Sequence, residues 1–158
     1  MKALKAEDKK LLNLLQKDDA CVPRVTMLAH KLGLPTSTVK TKIDKLVREG
    51  YVTGLSATVD PEKTGRGFVA FTLGRVPLRK DLDLVEDIPK LLAAIPEVLE
   101  VFFISGEWDY LIKFRVKDRD EYTHVIKKVA KALGEGNGRG LGMVGFKTLK
   151  ETHKIKVI

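Results

Sequence analysis

The chain has 158 residues, with 29 Lys and Arg against 21 Asp and Glu and a formal net charge of +8. Its 44% hydrophobic content can build a packed core and excludes a disordered chain, and no apolar run approaches the ~20 residues of a membrane span. The start lacks the apolar core of a signal peptide, and one Cys cannot build a disulfide framework, so we expect a cytoplasmic protein with no membrane partner.

Charge and chain-breaking residues divide the sequence in two. Residues 1–58 carry 11 basic and 6 acidic residues, a net charge of +5, whereas the longer remainder carries 18 and 15, a net charge of +3. Asp60-Pro61 and the two glycines that follow are typical of a linker. We therefore predict a first domain over residues 1–59, a linker over 60–66 and a second domain over 67–158.

The first domain begins with two predicted helices. A leucine-rich helix follows an acidic pair and ends near Asp18. The apolar spacing of residues 25–32 predicts a short second helix, with Thr26 as a plausible cap and Gly33 as its terminator.

A third helix and a small wing complete this domain. Three hydroxyl residues after Pro35 offer caps, and Gly50 ends the helix. Its inner positions follow helical spacing and are Val39, Ile43, Leu46 and Val47. Two short helices joined by a glycine turn are typical of a helix-turn-helix, and residues 51–59 are predicted to form two β segments around Gly54.

The outward face of the third helix carries hydroxyls at its start and cations along its body. In a recognition helix, N-terminal side chains reach base edges in the major groove while basic residues hold phosphates. Ser and Thr are also ordinary caps and surface lysines are usually only solvated, so the prediction rests on their joint occurrence in a basic helix-turn-helix domain. The predicted contacts with double-stranded DNA are Thr36, Ser37, Thr38, Lys40, Thr41, Lys42, Lys45 and Arg48.

The second domain alternates strand and helix periodicities in the ferredoxin-like order β-α-β-β-α-β, which makes the chain α+β. Pro89 either kinks the first helix or lies in the first turn of a shorter one capped by Asp87. The second helix is expected to begin at Asp118 or Asp120 and to end at Gly134. The predicted strands cover residues 68–76, 98–105, 110–116 and 144–150, and the first helix is predicted from Leu84 to Ile95.

The predicted sheet has apolar residues on both faces. In residues 110–117, apolar residues alternate with residues predicted to face solvent, as in a strand with one exposed side. The predicted solvent-facing residues are Leu111, Lys113, Arg115 and Lys117. In the preceding strand Leu99, Val101 and Phe103 are predicted to point one way, and Val98, Phe102 and Ile104 the other. Because two helices cover one face of a four-stranded sheet, we expect a homodimer to cover the other face. The wing or the chain termini are the alternative cover.

Glycine-rich residues 134–145 hold six of the chain's 13 glycines. Gly140, Gly142 and Gly145 match G-x-G-x-x-G, but here a helix precedes and a strand follows, the reverse of a dinucleotide site. We therefore predict a flexible loop. The separated His residues and Cys21 suggest no metal site, and no catalytic arrangement or cofactor is expected.

The loop between the two adjacent strands is the candidate ligand site. It holds the only Trp, two carboxylates and a phenol, and a glycine would let a ligand approach the backbone. A carboxylate here could bind an ammonium group; the alternative is a β-turn whose aromatic residues pack at a subunit contact. The candidate effector-binding residues are Gly106, Glu107, Trp108, Asp109 and Tyr110.

Four stretches match one family pattern: LLNLLQKDD, LAHKLGLPTSTVKTKIDKLVREGYVTGLSATVDP, SGEWDY followed by LIKFRV, and FKTLKETHK. On these residues the chain resembles the leucine-responsive regulatory protein (Lrp/AsnC) family of transcription regulators over about residues 4–156. The resemblance implies a winged helix-turn-helix, a ferredoxin-like ligand-sensing domain and dimers that often form octamers. It also implies amino-acid effectors near Gly106–Tyr110 and DNA contacts among Thr36–Lys42.

We therefore predict a sequence-specific DNA-binding transcriptional regulator that responds to an amino acid or related metabolite. One alternative is a non-specific, nucleoid-type DNA-binding protein. Another is a haem-biosynthesis decarboxylase of similar architecture, which would need a tetrapyrrole pocket with His or Arg. The basic third helix favours a regulator, and His124 and His153 are the only His of the second domain.

Overall fold

The computed structural model describes residues 6–16, 21–75, 86–133 and 140–152. The chain divides into two compact units, Met1–Asp60 and Pro61–Ile158. Within the described residues, no helix has both the length and the apolarity needed to cross a membrane.

The first unit contains α1 (Ala6–Leu15), α2 (Val25–Leu32) and α3 (Thr36–Arg48). Gly33 ends α2 in a left-handed conformation (φ 63°), and its N–H donates to the carbonyls of Ala29 and His30. The helix-turn-helix prediction is thereby confirmed. The predicted end of the first helix at Asp18 lies outside the described residues.

The predicted hydroxyl caps of both helices are wrong. Arg24 takes the N-cap position of α2 and Pro35 that of α3, and neither helix has a side-chain cap hydrogen bond. The fixed φ of proline and its extended ψ of 144° start α3 one residue earlier, so that the Pro35 carbonyl accepts the Val39 N–H at 3.1 Å. The three hydroxyl residues consequently fall inside the first turn of α3.

The core of the first unit is small. Ala29 and Val39 are its buried apolar residues in the part described, whereas Leu46 and Val47 are 41% and 45% exposed, contrary to their predicted inward position.

The two predicted β segments of the wing do not form. Residues 51–60 take part in no β ladder. Their backbone instead bonds to the first part of the unit: the Cys21 N–H donates to the Leu55 carbonyl at 3.2 Å, and the Ala57 N–H donates to the Leu15 carbonyl at 2.8 Å. These partners replace the cross-strand bonds of a hairpin.

The second unit is a four-stranded antiparallel sheet with two helices. Its elements are β1 (Phe68–Gly74), α4 (Asp87–Ala93), β2 (Val98–Phe103), β3 (Tyr110–Val116), α5 (Arg119–Leu133) and β4 (Gly140–Gly145). The strand order β2-β3-β1-β4 confirms the ferredoxin-like prediction. The helices cover one face, where Ala70, Leu92, Ile112, Phe114 and Val125 are fully buried.

The helix starts resolve two open alternatives. Pro89 is the third residue of α4, so it lies in the first turn of the shorter helix. Asp87 is the first residue of that helix and Glu86 is its N-cap, so the predicted cap is wrong by one residue. The Asp118 carboxylate accepts the Glu121 N–H at 2.9 Å, so Asp118 caps α5. The predicted positions Leu84 and Gly134 lie outside the described residues.

The second half of the glycine-rich stretch is a strand, not a loop. β4 covers Gly140–Gly145 and pairs with β1, which corrects the predicted strand at 144–150. Two of its glycines have a packing reason. A Cβ at Gly142 would lie 2.8 Å from the Tyr122 hydroxyl, and one at Gly145 would lie 2.5 Å from a Val69 methyl. Small residues therefore allow β4 to lie close to its neighbours.

A β-bulge at Leu99 changes the predicted faces of β2. Val98 pairs with Phe114, but the next paired residue is Glu100, opposite Lys113. The extra residue puts Val98 and Val101 on the same, helix-covered face, where sequence alternation had placed them on opposite faces. Phe102 remains on the other face of the sheet.

The face opposite the helices is called the outer face here. It carries Val69, Phe71, Leu73, Glu100, Phe102, Leu111, Lys113, Arg115, Leu141 and Met143. Lys113 and Arg115 of β3 were predicted to be exposed to solvent, and this is wrong for both. Arg115 is 8% exposed, and the Lys113 side chain is 14% exposed. Both bind Glu151 of the segment after β4, so part of the predicted alternative cover, a chain terminus, is present.

Candidate DNA interface and effector loop

The exposed face of α3 carries the predicted DNA contacts. All eight residues lie within Thr36–Arg48, so the structure brings them together on one 13-residue helix. Thr38 is half-buried beside the buried Val39, and the other seven are exposed: Thr36, Ser37, Lys40, Thr41, Lys42, Lys45 and Arg48. Seven of the predicted contacts are therefore accessible to a partner, and Thr38 less so.

The first turn of α3 offers hydrogen-bond donors to that partner. The first amides of a helix have no intrahelical acceptor, and here no side chain caps them. Farther along, the Thr41 hydroxyl donates to the Ser37 carbonyl at 3.0 Å. A hydroxyl has one proton and two lone pairs, so Thr41 in this rotamer acts toward a partner as an acceptor.

The helix is cationic, but its four cations are not equivalent. Lys45 lies 3.7 Å from the Glu49 carboxylate, and both side chains are largely exposed. Such surface ion pairs contribute little stability, but the Glu49 carboxylate partly compensates the positive charge of Lys45. Lys40, Lys42 and Arg48 form no such ion pair within the described residues, and all three are exposed. An exposed Arg24 at the start of α2 adds a further cation that the sequence analysis did not single out.

The loop between β2 and β3 is held to the end of β1. The Asp109 N–H donates to the Gly74 carbonyl at 3.0 Å, and the Ile104 N–H donates to the Asp109 carbonyl at 2.9 Å. The Arg75 guanidinium donates from Nε to the Glu107 carbonyl at 2.7 Å. Gly106 has a φ of 126°, a conformation that side chains rarely adopt, so glycine is required at this bend.

The candidate effector residues differ in accessibility. Gly106 and Glu107 are exposed, whereas Trp108, Asp109 and Tyr110 are half-buried. Burial raises the pKa of the Tyr110 hydroxyl, and the nearby Asp109 carboxylate raises it further. Tyr110 packs against the core cluster. The structure thus brings the five residues into one loop and strand start, with Gly106 and Glu107 facing solvent.

Gly74 and Arg75 belong to this site, although the sequence analysis did not select them. A Cβ on Gly74 would lie 2.1 Å from the Tyr110 hydroxyl oxygen, so the Tyr110 side chain lies where any larger residue would put its own. The signal that could have found both residues is the strand order: in a ferredoxin-like sheet, the end of the first strand pairs with the start of the third.

No three His, Cys, Asp or Glu side chains in the part of the chain that the structure describes are grouped so that they could hold a metal ion. Cys21 is half-buried, and its Sγ lies 3.8 Å from the Leu15 carbonyl oxygen.

A helix-turn-helix with a cationic second helix, joined to a separate α+β unit, is the architecture of a ligand-responsive DNA-binding regulator. Known families match both parts: a winged helix-turn-helix DNA-binding family matches residues 8–53, and the Lrp/AsnC ligand binding domain matches residues 75–136. An HTH-type transcriptional regulator of Pyrococcus furiosus is 33% identical over 144 residues, which cover 91% of this chain and 93% of that protein.

Solved structures agree with this assignment. An AsnC family transcriptional regulator from Agrobacterium tumefaciens superposes with a TM-score of 0.74 at 25% identity, covering 97% of both chains. A transcriptional regulator from Neisseria meningitidis in complex with L-Met gives a TM-score of 0.72 at 25% identity, covering 98% of this chain and 97% of that one. The chain belongs to the Lrp/AsnC family, and it is a DNA-binding transcriptional regulator with a ligand-binding domain.

Proposed function

We propose that residues 1–59 read specific DNA sites through α3, that residues 67–158 bind an amino acid and a second copy of the chain, and that residues 60–66 connect the two. The observation that carries the proposal is the exposed face of α3, on which hydroxyls precede four cations in a helix-turn-helix. Base reading needs such hydrogen-bonding groups at the helix start, and phosphate binding needs the cations.

The residues of α3 have different proposed roles. Lys40, Lys42, Lys45 and Arg48 bind phosphates and supply the salt-dependent part of the affinity. Thr36, Ser37, Thr38 and Thr41 read bases, with the half-buried Thr38 making the smallest contribution. Since the Thr41 proton is used within the helix, Thr41 is suited to accept a hydrogen bond from an amino group, which adenine or cytosine presents in the major groove.

The outer face of the sheet is the proposed dimer interface. Phe102, Leu141 and Met143 lie on it and are 48%, 46% and 38% exposed, an apolar end that the segment after β4 leaves open. A second copy would cover it and would place two α3 helices in successive major grooves, about 34–36 Å apart. Higher assembly into an octamer is part of the same proposal.

Sedimentation of the Phe102→Glu variant tests the interface. A charge in a dry contact is strongly unfavourable, so the variant should sediment as a monomer at concentrations where the wild type is a dimer. Thr123→Glu, which adds the same charge to the exposed surface of α5, should leave the dimer intact. Equal masses for wild type and Phe102→Glu would remove this face from the interface.

An amino acid is the proposed effector, at Gly106, Glu107, Trp108, Asp109 and Tyr110. Two structural relatives are complexes with L-methionine. In this chain, Glu107 and Asp109 provide carboxylates for an ammonium group, and the Gly106 backbone is accessible. The half-buried Trp108 provides an apolar wall for a side chain.

Selection of bound fragments from random DNA, with and without pooled amino acids, tests the function as a whole. The proposal predicts a palindromic consensus and a set of recovered sites that changes when the amino acids are present. Recovery without any sequence preference would indicate a nucleoid-type protein instead. A consensus that ignores every amino acid would retain the regulator and reject the effector class.

A further inference from the structure

Arg115 lies at the junction of three parts of the second unit. It is on the outer face of β3 and is only 8% exposed, although it carries a charge and forms an ion pair. Its Nη2 atom donates to Glu151 at 2.6 Å. Its Nη1 atom donates in the other direction, to the Gly67 carbonyl at 3.2 Å and the Arg66 carbonyl at 3.5 Å.

The backbone that Arg115 binds is the linker turn (residues 61–67). This turn begins at Pro61, where the second unit begins. It is closed by the Arg66 N–H, which donates to the Pro61 carbonyl at 2.7 Å. The Arg66 side chain then reaches Glu121 at the start of α5, at 2.6 Å and 2.7 Å from its two carboxylate oxygens. The end of the linker turn is therefore held by α5 on one side and by β3 on the other.

The contacts of Arg115 continue across the outer face. Glu151 bridges Arg115 and Lys113, since its second oxygen lies 2.7 Å from Lys113 Nζ. Lys113 in turn lies 2.8 Å from Glu100 of β2. Hydrogen bonds from Lys113 and Arg115 lower the pKa of the Glu151 carboxyl, so Glu151 is ionised at neutral pH. A continuous set of charged contacts thus joins the linker turn to the face proposed for dimerisation.

Hydrogen bonds from a charged side chain link the linker turn to the segment after β4 at this junction. A cavity of about 400 Å³ lies beside it, bordered by Pro61, Val69, Phe146, Thr148 and Glu151. The linker turn borders this space through Pro61, Glu62 and Gly67, and the segment after β4 borders it through Phe146, Thr148 and Glu151. Hydrogen bonds to charged groups are stronger than neutral ones, and Arg115 makes several.

We propose that Arg115, oriented by Glu151, is a positioning residue for DNA binding: it fastens the linker turn to the outer face, so that a dimer formed there presents its two DNA-binding units at a defined spacing. This inference rests on the proposed function, specifically on the dimer. A fastened linker restricts the separation of two half-sites that one dimer can bind, whereas a loose linker tolerates many separations.

The experiment uses full-length Glu151→Gln and Arg115→Met chains and a series of DNA fragments. Each fragment carries two selected half-sites, and the series varies their separation in single base pairs. Lys90→Met is the matched control for loss of a cation, because Lys90 is 71% exposed in a surface pair of α4. Thermal unfolding and sedimentation accompany every variant, and Glu151→Gln keeps the test available if Arg115→Met does not fold.

The expected result separates positioning from stability. Wild type and Lys90→Met should prefer one separation by about tenfold or more, and Glu151→Gln should lose most of that preference. Its affinity for a single half-site and its dimer mass should not change. A Glu151→Gln variant that keeps the wild-type preference for one separation overturns the proposal. A variant whose affinity for a single half-site falls as much as its affinity for the paired half-sites overturns it as well.

Trypsin digestion gives a readout that needs no DNA. The bond after Arg66 lies in the linker turn, and its cleavage requires the turn to open. Glu151→Gln should be cleaved there about tenfold faster than wild type, with cleavage after Lys90 unchanged. A wild type that sediments as a dimer but shows no preferred separation overturns the proposal. If the wild type sediments as a monomer, the dimer proposal fails, and digestion alone decides whether the turn is fastened: equal cleavage rates overturn it.

Discussion

Replacement of Lys42 by alanine tests the DNA interface through the salt dependence of binding. Lys42 is exposed on α3, and each phosphate contact contributes about 0.9 to the slope of log affinity against log salt concentration. A dimer carries two copies, so Lys42→Ala should reduce the slope by about 1.8. Between about 50 and 200 mM salt, the ratio of wild-type to variant affinity should then change by roughly twelvefold.

Titration of a fluorescent duplex that carries the selected site measures both slopes. Lys90→Ala is the control, because it removes the same charge from an exposed position of the second unit. Its slope should equal that of the wild type, since Lys90 belongs to the second unit and is not among the proposed phosphate contacts. Equal slopes for Lys42→Ala and the wild type would show that Lys42 does not bind a phosphate.

Three further predictions concern the second unit and are measured by urea unfolding. Leu92→Ala should lower the free energy of unfolding by about 2–5 kcal/mol, since Leu92 is fully buried. Leu91→Ala, at its exposed neighbour, should lower it by less than about 1 kcal/mol, and equal losses would contradict the assigned core. Gly142→Ala should lower the free energy of unfolding by about 1–3 kcal/mol, because the added methyl would meet the Tyr122 hydroxyl. Combined with Tyr122→Phe, which removes that hydroxyl, the loss should be smaller than the sum of the two single losses, and additive losses would argue against the contact. The pKa of Glu151 is lowered from 4.5, so the stabilisation by its carboxylate is present above pH 4.5 and is lost as the pH falls through the folded-state pKa. Glu151→Gln should lack that loss of stability in acid. Parallel profiles of unfolding free energy against pH for the two chains would show that the Glu151 carboxylate does not stabilise the fold.

Local signals predicted the helix-turn-helix well. The end of α2 depends on Gly33, whose left-handed conformation is a property of one residue and its immediate neighbours. The cap of α3 was predicted incorrectly because two local preferences compete at adjacent positions. Hydroxyl residues favour the N-cap, but Pro35 has the fixed φ and extended ψ of that position and takes it first.

The errors in the sheet come from contacts between distant parts of the chain. Glycine-rich residues normally predict a loop, yet β4 forms there because it pairs with β1, about 70 residues earlier, and because Tyr122 lies over Gly142. Strict alternation likewise misplaced Val98, since the bulge at Leu99 depends on how β2 aligns with β3.

The same limitation applies to the candidate sites. The eight α3 residues share one helix, so their spacing alone indicated a common face, and the structure keeps seven of them exposed. For the effector loop, sequence identified the residues between the strands but not Arg75, which supports the loop from another strand end. Arg115 looked like a solvated strand residue, because its partner Glu151 lies 36 residues farther along the chain.

Photocrosslinking from α3 to DNA tests directly whether this helix lies against the bases of a bound site. A photoreactive amino acid placed at the exposed Ser37, with Lys90 as the control position, is irradiated on a duplex that carries the selected site, and the adducts are mapped by sequencing. We expect adducts from position 37 at bases within each half-site and none from position 90. A chain that still binds the duplex but crosslinks only from position 90 would contradict this expectation.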